Sequence, residues 1–565
     1  MNSQAITIPI KYLNGGVWPS GYVGKMVIIT GFVTAVTRRG FFLQTPQVQW
    51  DKQISDAIFV YSREWVAERE TMLEVHGEVI DYVKHDTAKP ITQIHFDRAR
   101  LLPNLDDSGE PYQVEAICLS NDLVTPDNHK LAALLQSLAG MLVTITKAQT
   151  FIAPSNIYGD YVVALDSDKS EESSLRTSNN GVLASSSNPL RWYPGFRIKN
   201  YNHAPRLNVG AKLLTDITGP LNYRADSYQL LITDPFRFDP AYISLHKTSI
   251  EQGDDGLTVM TLNCFNLDPH VESESKVVNP RRDVDDDWGE GRFHTLAQAV
   301  VLQAGIPDII ALQEIQDNDG AQISDVVDAN KTLELLIDAI EELSEVRYRW
   351  TCINPELGAD GGQPGGNIRN AFLYNASHVA LLENSTRIFG ENDDCFVDSR
   401  KPLVAYFKQL KSNQVLACIN IHLASKRHQR SIFAPDEAGV DGKLSVRVAQ
   451  ARRIAQEIEK LRSEAVNYYV TGDFNDTEYS STLTALLGDH SYNLVNSLDE
   501  LERYDYNHRG KLQVLMHGIV AKENASKAEY EIIHGNELIG VQPGEINNKP
   551  SDHAYVIAKL PLTDH

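Results

Sequence analysis

The sequence predicts a multidomain protein in which a β-rich half leads into an α/β domain. Three observations predict it. At 565 residues the chain is too long for one core, so two or three domains are expected. Residues 1 to about 113 consist of short strand-like runs parted by turn signals, with no long helical stretch. From residue 257 onward, apolar strand-like runs alternate with helix-like segments at Thr295–Ala304, Lys331–Ser344 and Leu444–Arg462.

The first unit, 1–113, contains the runs Met26–Val36, Gly40–Leu43, Ala57–Tyr61, Leu73–Val83 and Ile91–Phe96. About five strands without a long helix suggest a small closed barrel. Phe41, Phe42, Tyr61 and Trp65 are its candidates for stacking bases, although core packing is the commoner role for such residues. A connector rich in Pro, Asp and Gly follows at Pro103–Pro111. The second unit, 114–250, has runs at Met141–Thr146, Tyr161–Leu165, Lys212–Thr218 and Tyr228–Ile232, and reads as a second barrel-like domain. Ser167–Asn188, rich in Ser and Asn, reads as a mobile surface loop. Gly253–Gly256 reads as the hinge into a third unit, 256–565.

Chemistry concentrates in the third unit. In Tyr469–Asp476, Y-V-T-G-D-F-N-D, an apolar run ends in Thr-Gly and is followed by Asp473 and Asn475. Alternate side chains of a strand share a face, so these two are expected to point into one pocket. A carboxylate that only accepts, beside an amide that donates, suits metal-assisted phosphodiester chemistry. Four more strand-like runs end in polar residues: Leu257–Asn263, Asp308–Glu314, Val415–Leu423 with Asn420 and His422, and Ser551-Asp552-His553 ahead of Ala554–Leu560. One such residue is most often a satisfied buried polar group. Five strand ends that supply Asn, Glu, His, Asp, Asn, Asp and His are hard to explain as packing.

The order T-L-N, L-Q-E, N-I-H-L, G-D-F-N-D, S-D-H resembles the endonuclease/exonuclease/phosphatase superfamily, over about Leu257 to Leu562. Gly365–Tyr374 (G-G-N-I-R-N-A-F-L-Y) and Ser399–Leu403 (S-R-K-P-L) look like its bacterial secreted-nuclease branch. The resemblance implies a C-terminal four-layer α/β sandwich, two mixed sheets face to face with helices outside. It also implies that 1–113 is an oligonucleotide/oligosaccharide-binding (OB) barrel, on the order G-F-V-T-A-V, G-F-F-L-Q, I-F-V-Y, H-G-E-V.

The expected activity is a metal-dependent nuclease that hydrolyses DNA, and RNA as a further substrate. Glu314 is expected as the principal metal ligand, helped by Asn263 and with Asp552 nearby. Hard oxygen ligands without a Cys/His cage point to Mg²⁺ or Mn²⁺, with Ca²⁺ as a third candidate. Asp473 and Asn475 would orient the attacking water and the phosphate. His422 would bond the phosphate or protonate the leaving group, and His553 would activate or position water. Arg369, Lys401, Asn420 and Lys426 are the expected substrate contacts. One departure stands out. The family's Asp that holds the His of S-D-H is matched here by Met516, in Leu515-Met516-His517. A thioether is only a weak acceptor, and loss of such an orienter costs orders of magnitude in rate, so either another acceptor substitutes or the enzyme is crippled.

The formal net charge of -23 is unusual for a protein that binds a polyanion. The acidity must lie away from the substrate-facing surface or be offset by bound cations. The five cysteines form neither a disulfide framework nor a C-x-x-C metal signature. No run of about 18 apolar residues predicts a membrane-spanning helix. The start Met1-Asn2-Ser3-Gln4 lacks a basic start and an apolar h-region. The resemblance therefore implies a secreted or periplasmic protein whose signal lies outside this sequence, with a cytoplasmic place as the alternative. Two other functions compete: a phosphatase or lipid phosphodiesterase of the same superfamily, and a nucleic-acid-binding protein whose catalytic domain is impaired at Met516.

Overall fold

The computed structural model describes all residues except 1–4, 14–19, 48–49, 84–89, 107, 121–122, 124–127, 166–174, 185–194, 201–203, 225–226, 427–430, 432, 434–439, 545–548 and 563–565. Much of the expected Ser167–Asn188 loop thus lies outside the described residues.

The N-terminal strands close into a five-stranded barrel. Met26–Thr37 pairs with Gly40–Gln44 on one side and with Met72–Tyr82 on the other, and Ala57–Tyr61 runs parallel to Ile91–Leu102. Closure follows from the period-2 pattern, which turns Val27, Ile29, Val33, Leu43, Val60, Val75 and Ile94 into one interior. Of the four stacking candidates, Phe41 joins that interior and Phe42 packs against Ala35 and Leu231. Tyr61 and Trp65 are half-buried; Tyr61 lies 5.1 Å from the His95 ring and Trp65 stacks on Phe96 at 4.9 Å.

The next sheet differs from the expected second barrel. Its nine strands, Ile117–Cys118 to Phe238–Asp239, form one open path, with each of these two strands at an end and paired on one side only among the described residues. The sheet curls around one core in which Leu131 and Leu135 of helix Asn128–Ser137 meet Val143, Phe151, Tyr161 and Phe196. Its pairings join distant segments, such as Leu142–Ile145 with Ile217–Pro220. No short-range pattern in the sequence encodes that.

Residues 257–560 build two mixed sheets. One has Leu257–Leu267 between Ile309–Ile315, parallel, and Tyr555–Leu560, antiparallel. The other has Asn467–Asp473 between Val415–His422, parallel, and Met516–Ala521, antiparallel. A core of residues from both sheets, including Val259, Ala311, Phe372, Cys418, Tyr469 and Val556, lies between them. A second core joins the first sheet to helices Arg292–Gln298 and Asn330–Ser344, and a third joins the second sheet to helices Leu444–Ser463 and Ser481–Leu487. Among the described residues all five cysteines are free, and no helix is long and apolar enough to cross a membrane.

The strands leave regular geometry where the polar motifs begin. The pairing of Leu257–Leu267 with Ile309–Ile315 shifts after Asn263, where Phe265 and Asn266 take φ of 52° and 57°. Glu314 has φ 58° beside a second register shift. Such bulges re-aim side chains at strand ends, and left-handed backbone outside glycine marks constrained sites. Gly472, ahead of Asp473, has φ 134°, and a Cβ there would lie 1.9 Å from the Ile421 carbonyl oxygen. Only glycine lets the two strands approach this closely. Gly472→Ala is expected to destabilise the protein by about 3 kcal/mol or more. Thermal unfolding with no loss of melting temperature would contradict this.

Candidate active site

Asn263, Glu314, His422, Asp473, Asp552 and His553 converge at one end of the two sheets. Asn263 Nδ2 donates to Glu314 Oε1 at 3.2 Å and reaches Asp473 Oδ2 at 3.5 Å. His422 Nε2 lies 3.5 Å from Asp473 Oδ2 and 3.8 Å from Glu314 Oε1. His553 Nε2 lies 3.8 Å from the same Asp473 oxygen and 3.9 Å from Asp552. The ligand-capable atoms of Glu314, His422 and Asp473 are all within 4.8 Å of one another. Asn475 follows in the left-handed region, φ 51°; its N–H donates to Asp473 Oδ1 and its amide to Leu423 O at 3.1 Å.

The cluster is buried and crowded with carboxylates, and both features shift its pKa values. Burial first, then the charges of Asp552 and Asp473, raises Glu314 to about 7, although 18% of its side chain stays open to the pocket. Burial also raises Asp473, against the opposing pull of His553. His422 is driven well below its usual value by burial and by the cations Arg400 and His553, so it is neutral. For His553 burial acts downward, but Asp552, Asp505 and Asp473 outweigh it and lift the imidazole to about 10.

A divalent cation fits this donor set. Glu314, Asp473 and Asp552 offer hard oxygens beside the neutral His422, and three clustered carboxylates lose their mutual repulsion when such an ion binds. A separate carboxylate group, Asp268, Asp285 and Asp287, has Arg292 as an ion-pair partner through Asp287.

The acceptor expected at position 516 comes from elsewhere. Asp505 Oδ2 takes the His553 Nδ1–H at 2.6 Å, while its Oδ1 accepts the N–H groups of Leu515 and Met516 at 2.5 and 3.1 Å. A carboxylate can only accept here, so Nδ1 carries the proton and Nε2 faces Asp473. Tyr506 stacks on the His553 ring at 4.8 Å. Met516 is fully buried in the core between the sheets, opposite Asp473 in register. Of the two alternatives at Met516, another acceptor takes the place of the expected Asp, and His553 is not left without an orienter.

The expected substrate contacts fall into two groups. Lys401 pairs with Asp360 at 2.6 Å and Lys426 with Asp476 at 3.1 Å. Asn420 and Arg369 are structural in this arrangement. Asn420 is fully buried and donates to Leu312 O at 2.8 Å and Ala371 O at 3.0 Å. Arg369 is 2% exposed and donates to Asn354 and to Asn367 O, so it presents no guanidinium face to the pocket.

Sequence reasoning missed Asp505, Tyr506 and Arg400. Arg400 sits in the S-R-K-P-L segment, is 7% exposed, and its charge acts on Glu314, His422 and Asp473. Its neighbour Lys401 pairs instead with Asp360. Asp505 carries no periodic signal, only its place between two tyrosines.

Residues 103–238 match a family described as "Domain of unknown function (DUF8508)". No curated protein matches the chain. Among solved structures it is similar to an endonuclease/exonuclease/phosphatase family protein from Bacteroides thetaiotaomicron, with 18% identity and a TM-score of 0.36, over 55% of this chain and 98% of that one. It is similar to the human Nocturnin catalytic domain with bound sulfate, with 14% identity and a TM-score of 0.35, over 55% and 95% of the two chains. It is similar to D. rerio TDP2 complexed with a single-strand DNA product, with 15% identity and a TM-score of 0.34, over 54% and 99%. These similarities cover about half of this chain, and the geometry of the site has to carry the functional reading.

Two expected outcomes follow from this geometry. Met516→Asp would bury a carboxylate beside Asp473 with its role already filled, so it should lower stability by about 3 kcal/mol or more without raising turnover. A rise in turnover would restore the limiting role of position 516. The second concerns His534, which stacks on Tyr504 at 3.8 Å and contacts Glu502 and Glu537. Burial opposes its charge, but the two carboxylates raise it from 6.5 to about 9. Its contribution to stability is complete below pH 6.5 and is lost as pH rises through about 9. The melting-temperature difference between wild type and His534→Gln should shrink across that window; a constant difference would show that His534 is uncharged.

Proposed function

We propose that the chain is a divalent-metal-dependent phosphodiesterase that hydrolyses nucleic acid, with DNA as its substrate and RNA as a further one. One observation carries the reading: Glu314, Asp473 and His422 form a ligand-capable cluster against which the Asp505–His553 pair is aimed. Mg²⁺ or Mn²⁺, held by Glu314 with Asn263, Asp552 and their neighbours, would neutralise the scissile phosphate and the charge on the leaving oxygen. Asp473, flanked by both histidines, accepts hydrogen bonds from an attacking water. Asp505 holds the Nδ1–H of His553 and so orients the ring, whose Nε2 meets the phosphate or the water. His422, kept neutral, donates to the phosphate or the leaving group. Arg400 supplies positive charge that acts on Glu314, His422 and Asp473, and Asn475 holds the turn that aims Asp473.

The wider reading belongs to the same proposal. We read the division as 1–113, 114–250 and 256–565, the two C-terminal sheets with their outer helices as a four-layer sandwich, and the N-terminal barrel as OB-like. An extracellular or periplasmic place rests on the segments Gly365–Tyr374 and Ser399–Leu403. The competing binding-protein reading loses its support, because Asp505 supplies the acceptor that Met516 lacks. A phosphatase or lipid phosphodiesterase remains the alternative that assay separates.

The test is digestion of supercoiled plasmid, linear duplex, single-stranded DNA and RNA, beside a phosphate monoester and sphingomyelin, with each divalent ion and with chelator. Nucleic acid should be cut with Mg²⁺ or Mn²⁺ and left intact in chelator. Glu314→Gln should abolish cleavage, and His553→Ala or His422→Ala should each lower turnover by about 10²-fold or more in a folded protein. Full activity in chelator, or hydrolysis of the monoester or lipid alone, would overturn the proposal.

A further inference from the structure

Asp505 and Tyr506 lie on a segment that the catalytic sheets hold on one side only. Tyr506–His508 and Lys511–Gln513 form an isolated two-stranded hairpin that belongs to neither large sheet. On its inner side, Ala554 N donates to Asp505 O at 2.7 Å and Tyr506 bridges to His553. Its outer side is bonded to the nine-stranded module that precedes the catalytic sheets, in part through the sheet itself and in part through Val182–Ala184, a segment outside the nine strands that packs on the sheet by Val182 against Ile152 and Val162. Leu512 N donates to Val182 O at 2.9 Å, and Ala184 N donates to Leu512 O at 2.7 Å, giving a parallel bridge between Leu183 and Leu512. Asn507 Nδ2 donates to Ile152 O at 3.0 Å. At the hairpin tip, Gly510 has φ 87°, and a Cβ there would come within 2.9–3.0 Å of Ile152 and Val162. Leu183, Val209, Tyr504, Leu512 and Leu538 share one buried cluster, which includes the residue before Asp505.

We propose that the nine-stranded module is a positioning element for the catalytic histidine: by bonding the outer edge of the hairpin, it fixes Asp505, and through Asp505 it fixes His553. This rests on the function proposed above. An isolated two-stranded hairpin is at best marginally stable in water. The outer bonds from Val182, Ala184 and Ile152 supply what a third strand would supply, so the geometry of His553 depends on a module that contributes no side chain to the cluster itself. The region matched as a domain of unknown function thereby acquires a defined task in this chain.

The test uses the full chain and a double-mutant cycle. Leu183→Ala lies in the module and Asp505→Ala in the hairpin. If the module acts through Asp505, Leu183→Ala lowers kcat by about 10-fold with KM little changed, and adds nothing further in the Asp505→Ala background. Ile145→Val, in the module's own core away from the hairpin, lowers melting temperature without this loss of kcat. Asn507→Ala, which removes only the bond to Ile152 O, should reproduce the direction of Leu183→Ala in case the latter folds poorly. Hydrogen exchange at the Leu515 and Met516 amides, both held by Asp505, reads the same displacement without substrate and should quicken in Leu183→Ala. Additive losses, or unchanged exchange and unchanged kcat, would overturn the positioning role. Quickened exchange in a chain that hydrolyses none of the substrates would instead overturn the function and leave the structural link standing.

Discussion

The side chain of Asn420 sets the spacing on which the site depends. It is fully buried between the two C-terminal sheets, donates to Leu312 O and Ala371 O of the opposite sheet, and accepts from Gln313 Nε2 at 2.7 Å. Thr261 and Thr471 add a hydroxyl contact of 2.5 Å across the same interface. Glu314 stands two residues beyond Leu312, and His422 two residues beyond Asn420. The bond therefore fixes how far apart the carboxylate and the imidazole emerge from their two sheets. Apolar packing alone would allow the sheets to slide, whereas an amide that must satisfy two carbonyls in the interior permits one register. A buried amide without partners is costly, so the weld stays made.

Above that weld the charges are out of balance by design of position. Glu314, Asp473 and Asp552 crowd one pocket, and Arg400 and His553 are the cations that act on them. Burial, and then the charges of Asp552 and Asp473, raises Glu314 to about 7. Such a site is less stable alone than with a cation bound, and that difference in free energy is available for binding. On the proposed function the net charge of -23 fits the same picture, because a protein that met a polyanion through a bound cation would depend less on lysines and arginines.

How much of this was legible follows from the range of each interaction. The strand ends were legible, because apolar runs that stop in Asn, Glu, His or Asp advertise both the strand and its polar tip. The helices Asn330–Ser344 and Leu444–Ser463 fall within a residue or so of the expected segments. What a polar tip meets was not legible. Asn420 and His422 are two residues apart on one face, yet one meets carbonyls and the other meets the pocket. Lys401 and Arg400 are adjacent, and only the opposite wall decides which one reaches the site. The open path of the second sheet was not legible for a related reason: beside local hairpins such as Leu221–Arg224 with Ser227–Leu230, it contains a pairing across 70 residues or so, Leu142–Ile145 with Ile217–Pro220, and no local pattern records that.

The exchange of acceptors at His553 joins these themes. With Asp at 516, the strand that opposes Asp473 would place a second carboxylate beside it, and the core between the sheets would lose the volume that Met516 fills. With Asp505 instead, that strand contributes only its backbone: the N–H groups of Leu515 and Met516 hold Oδ1, which leaves Oδ2 for the imidazole. The carboxylate keeps its hydrogen bonds and the core keeps its packing. The consequence is that the acceptor now rides on a hairpin, and a hairpin needs an outer partner. The chain supplies one through Val182, Ala184 and Ile152. Relocating one carboxylate thus ties the geometry of the reaction to a neighbouring module, whereas an acceptor on the strand would have left the two sheets self-sufficient.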